Sequence, residues 1–182
     1  PVRPASDPDG VTRCHAEITA RLADRGESFD VGSAEVAAMV STPDEWGAVF
    51  TNDGRYVACS LFPTQEISPV RTAGAGTSEA DFHWALNPFP GSDRGETFWA
   101  AGRLPGVVSV VYAFADGRTV NATIGTDGHW LAMARTDTHF NDDERVDQWP
   151  PVTVTATTGA GVHRFTIPWN ERTMCNQISH GC

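Results

Sequence analysis

Apolar positions along the chain recur with two different periods, and the change between them divides the molecule. Val11, Cys14, Ile18 and Leu22 return at steps of three and four, with Arg13, Glu17, Arg21 and Asp24 between them. That is the period of an amphipathic helix. Asp9 ahead of the run and Gly26 behind it suit a cap and a stop, so one N-terminal helix is predicted there. From residue 35 onward the period falls toward two, and β-branched and aromatic residues gather in short runs bounded by Gly, Asn and Asp.

Glu35 to Val40 reads as a strand or a helical turn. Trp46 to Phe50 and Arg55 to Phe62 flank Asn52-Asp53-Gly54, which predicts an antiparallel hairpin. Residues 63–79, small and polar around Thr72 to Ser78, predict an exposed loop. A second break, Asn87 to Asp93, follows the aromatic run Phe82 to Leu86. The strongest local signal is Val107 to Phe114, then Ala115-Asp116-Gly117, then Arg118 to Ile124, because Asp-Gly between β-branched runs supplies the turn a hairpin needs. Asp127-Gly128 then leads into His129 to Ala134, extending the hairpin to a three-stranded meander. Pro151 to Ala156 and Val162 to Ile167 form a last pair across Thr158-Gly159-Ala160-Gly161. The fold class that follows is mainly β, an antiparallel β-sandwich or partly closed barrel with one N-terminal α-helix.

Length and composition narrow this picture. At 182 residues the chain suits one domain, placed over 11–182 after a linker remnant over 1–10. The Pro-rich opening, Pro1 to Pro8, resembles the end of a linker behind a removed signal or membrane helix. No run of 18 apolar residues is present, so insertion into a membrane by these residues is not expected. The formal charge of -10 repels nucleic-acid phosphates and anionic lipid headgroups, which argues against nucleic-acid binding. All 13 basic residues are Arg, which excludes lysine Schiff-base chemistry and fits the coding habit of a GC-rich genome.

Four cysteines, Cys14, Cys59, Cys175 and Cys182, stand in no metal-ligand spacing, and the pattern reads as two disulfides. Three pairings are open to four cysteines. We favour Cys14 with Cys59 and Cys175 with Cys182, which places the protein outside the cytoplasm.

The order of parts is similar to a known group. A Cys-bearing N-terminal helix, a Trp-led hairpin ending in Cys59, then Val107 to Val120 with Asp-Gly-Arg-Thr-Val, and Asp127-Gly128-His129-Trp130, resemble actinobacterial secreted or single-pass membrane-anchored extracytoplasmic domains of the anti-sigma-factor-like type. The resemblance implies location and fold and transfers no catalytic residue.

Candidate chemistry is sparse. The six His residues show no HxH or HExxH spacing. No Gly-x-Ser-x-Gly elbow is present. The carboxylate-rich stretch 137–147 offers Asp137, Asn141 and Asp143 as hard oxygen ligands for Ca²⁺, with a solvated acidic loop as the alternative. Of six tryptophans, Trp84 and Trp149 lie beside prolines where an indole face reaches a surface, and the rest are expected in the core. The function expected is a non-enzymatic extracytoplasmic binding or sensory domain for a protein or cell-envelope component. A small carbohydrate-binding module or glycoside-active protein, using exposed Trp and paired carboxylates, is the alternative.

Overall fold

The structure, a computed structural model, describes residues 8–42, 45–61, 66–68, 70–72, 86–87, 96–115, 117–136 and 151–167. They form one α-helix, α1 (Pro8–Asp24), two short 3-10 turns (Val31–Ser33 and Thr126–Gly128) and thirteen strands. These are β1 (Glu35–Ser41), β2 (Trp46–Asn52), β3 (Arg55–Ser60), β4 (Glu66–Ile67), β5 (Arg71–Thr72), β6 (Leu86–Asn87), β7 (Glu96–Arg103), β8 (Val107–Ala113), β9 (Thr119–Asn121), β10 (Thr123–Ile124), β11 (His129–Thr136), β12 (Val152–Thr158) and β13 (Gly161–Ile167). Every strand pairing is antiparallel. The mainly β class with one N-terminal helix is therefore as expected; the described strands make open sheets and close no barrel.

Three sheets stack face to face beneath the helix. Sheet A runs β1-β2-β3-β4 with β5 also on β3, sheet B runs β10-β11-β7-β6, and sheet C runs β13-β12-β8-β9. Side-chain alternation explains the stack. In sheet A, Trp46, Ala48, Phe50, Val57 and Cys59 turn toward Cys14, Ile18 and Leu22 of α1. Their neighbours Val49, Tyr56 and Ala58 turn the other way, onto Trp99, Ala101, Leu131 and Met133 of sheet B. Sheet B repeats the pattern, with Phe98, Ala100, Trp130 and Ala132 facing Val110, Tyr112, Val152, Val154 and Ala156 of sheet C. Among the described residues, sheets A and B are thus covered on both faces and sheet C on its inner face.

The helix ends as its pattern predicts. It begins at Pro8, inside the stretch assigned to the linker, so Asp9 lies in its first turn rather than capping it. There its carboxylate favours the positive end of the helix dipole. At the other end Gly26 donates to the Ala23 carbonyl and Glu27 to that of Leu22, at 3.0 and 2.8 Å, the paired bonds of a Schellman stop. Burying Ile18 and Leu22 stabilises the packed helix by about 1.5–3 kcal/mol each.

The hairpin of β2 and β3 turns at Asp53 and Gly54, both with positive φ (50° and 72°). That is the geometry a two-residue loop between twisted strands requires. Residues 63–79, expected as loop, contribute the short strands β4 and β5 to the edge of β3.

The meander expected over 107–134 splits between two sheets. β9 pairs with β8 in sheet C, and β10, one residue later, pairs with β11 in sheet B. The chain turns this corner at Ala122, whose amide still bonds the Val110 carbonyl at 2.9 Å. A bulge between Val36 and Ala38 in β1 marks where sheet A meets the corner. There a Cβ on Gly125 would lie 1.8 Å from the Ala37 carbonyl oxygen, so only glycine permits the approach.

Candidate functional site

Of the two expected disulfides, one lies among the described residues. Cys14 and Cys59 form a disulfide, with Cα atoms 6.0 Å apart and both residues fully buried between α1 and sheet A. Cys175 and Cys182 lie outside the described residues, as do Trp84, Trp149 and the Ca²⁺ candidates Asp137, Asn141 and Asp143. Among the described residues no group of three or more His, Cys, Asp or Glu side chains is placed to hold a metal ion. Trp46, Trp99 and Trp130 are core residues, 8, 3 and 0 % exposed. Trp130 lies over its cross-strand partner Gly102 and donates its Nε1–H to the Tyr112 hydroxyl at 3.0 Å. Burial holds that phenol well above its ordinary pKa, so it stays protonated.

One buried titratable group sits where sheets A and B meet. His129, the first residue of β11, is 2 % exposed. Its Nδ1 lies 2.9 Å from the Thr126 carbonyl, and its ring stands edge-on to Tyr56 of β3 at 5.4 Å. Burial disfavours the imidazolium and lowers the pKa, while the Thr126 carbonyl opposes the shift. Beside it Arg103 pairs with Asp127, closing the turn that precedes β11. These contacts make the group structural: they tie β11 to β3 and to the turn that precedes it.

The surface that stands apart is the outer face of sheet C. Register puts Thr153, Thr155 and Thr157 of β12 on this face, opposite Thr166, Arg164 and Val162 of β13. On their other side stand Ala113, Val111 and Ser109 of β8, with Thr119 and Asn121 of β9 completing two of the rows. None of these residues is buried. Val162 is 63 % exposed, and Val108, at the irregularity where β8 meets Thr158, is 67 % exposed. These are the exposed large hydrophobics among the described residues, and both belong to this sheet.

Carboxylates are scarce in the described strands generally, which hold Glu35, Glu66 and Glu96, and sheet C is where strands without them have a face that no other described sheet or helix covers. The chain carries 23 acidic residues, yet β8, β9, β12 and β13 contain no Asp or Glu. A half-exposed surface of threonine, valine and one central arginine lets a partner approach without stripping water from carboxylates. The signal was present in Val152-Thr153-Val154-Thr155-Ala156-Thr157, where a strict alternation assigns one face to the core and leaves threonine on the other. Neither Trp nor a carboxylate marks it, because its distinguishing property is an exposed strand face without acidic side chains. Comparison with protein-family models, with curated proteins and with solved structures finds no match.

Proposed function

We propose that this chain is a non-enzymatic extracytoplasmic binding domain whose working surface is the outer face of sheet C, and whose ligand is a protein or cell-envelope component. The observation that carries the reading is the carboxylate-free face with Val108 and Val162 exposed, on a chain of net charge -10. Depletion of charge at a surface that also exposes apolar groups is the compositional mark of an interface centre. The buried Cys14–Cys59 disulfide supports an oxidising compartment, since such cross-links are rare where thiols are kept reduced. No helix among the described residues is long and apolar enough to cross a membrane.

Co-sedimentation with envelope fractions from the organism that encodes the chain tests this reading. The native protein is expected to bind. A Val108→Asp, Val162→Asp double variant, altered only at exposed positions, is expected to lose about tenfold or more of that binding. An Arg13→Asp variant on the exposed side of α1 serves as control and is expected to bind as the native protein does. Equal binding by native and double-variant protein refutes the assignment of the surface.

A further inference from the structure

The reading of sheet C as the working surface leaves open what lies on it, and the strand at its margin bears on that question. β13 ends the sheet, with no described strand on its far side. Its hairpin with β12 turns through Gly159 and Ala160, so Thr158 and Gly161 close a two-residue loop as a hydrogen-bonded pair. Antiparallel alternation then makes Ala156–His163, Val154–Phe165 and Val152–Ile167 the remaining bonded pairs. The N–H and C=O groups of Val162, Arg164 and Thr166 therefore point away from β12, at the open margin. All three residues are exposed.

Natural sheet edges are usually blunted by proline, bulges, short length or several charges. β13 has seven residues, no proline and no break in its register with β12. Its one permanent charge is Arg164 at the centre, which makes no ion pair among the described residues.

We propose that β13 accepts an extended polypeptide segment as an added strand, with an acidic side chain of that segment opposite Arg164; this rests on the reading of sheet C given above. Main-chain bonds to Val162, Arg164 and Thr166 supply the attachment, and the carboxylate supplies the selection. A second copy is the poorer occupant. Two-fold pairing in the register that uses all three outward positions sets Arg164 against Arg164, like charges directly opposed. Each copy also brings a net charge of -10 to the contact.

Amide NMR of the whole chain, titrated with the end-blocked peptide Ser-Thr-Val-Thr-Glu-Thr-Val-Thr-Ser, tests the proposal. The expected result is slowed hydrogen exchange at Val162, Arg164 and Thr166, with binding about tenfold tighter than for the same peptide carrying Lys in place of Glu. Arg164→Glu should invert that preference. Arg164→Pro removes an outward N–H without touching the ladder to β12, and should abolish binding while the other amide signals stay in place. Equal binding of the two peptides, or no change at the three amides, overturns the proposal. So does concentration-dependent protection of those amides without peptide, which assigns the edge to a second copy. The envelope assay separates the two readings: loss of envelope binding in the Val108, Val162 variant together with no peptide effect keeps the face and removes the edge.

Discussion

His129 shows how a single side chain makes the fold sensitive to pH. Its pKa in the folded protein lies below the ordinary value of 6.5, because a 2 % exposed ring cannot hydrate its charged form. The unfolded chain binds the proton more readily, so the native state is fully favoured above about pH 6.5 and loses stability as pH falls toward the depressed value. Urea midpoints between pH 8 and pH 5 should fall on the acid side, and His129→Gln should flatten that part of the profile. An unchanged slope in the variant would assign the acid sensitivity to other groups. Nothing in the sequence around Asp127-Gly128-His129-Trp130 announces this burial. A histidine at the start of a strand is usually wet, and a ring from a different sheet, Tyr56 of sheet A, lies against this one.

At the scale of elements, local chemistry was legible and stacking was not. The helix and the hairpins were readable because their signals lie within one turn or one pair of strands: Cys14, Ile18 and Leu22 on one stripe, Asp53-Gly54 between two runs. β7 gave no such signal. Its Phe98-Trp99-Ala100-Ala101-Gly102 lies between two other sheets, so both parities are apolar and period-two alternation disappears. The corner between sheets C and B was hidden for a related reason, since the partner that shapes it, the bulge at Ala37, is distant in sequence. Gly125→Ala tests the corner directly. A Cβ 1.8 Å from the Ala37 oxygen forces backbone movement, and the expected loss is about 2–4 kcal/mol by urea unfolding. Gly159→Ala, with nothing within 4 Å of its added carbon, is the matched control and should be close to neutral. Of the candidate site, the threonine alternation of β12 was readable, but its place on an outer face depends on which sheets cover which.

For the whole molecule, the strongest single restraint is the cross-link between α1 and β3. It joins residues 45 apart, and chain-entropy reasoning assigns it about 4 kcal/mol of stabilisation. Replacing Cys14 and Cys59 by Ala should lower unfolding free energy by about that amount. A loss below about 1 kcal/mol would show that the helix already restrains the unfolded chain without the bond.

The strand order also dictates when each sheet finds its neighbours as the chain is made. Helix α1 and all of sheet A lie within residues 8–72, so that layer is complete once a contiguous opening stretch exists. Sheets B and C are interleaved instead: β8 and β9 fall between β7 and β11, and β8 lacks its inner companion until β12 has been synthesised. A nascent molecule therefore owns its first layer by residue 72 and the strands of its second by residue 136, while the third still waits on residues 152–167, and a ribosome paused before them leaves β8 without that companion.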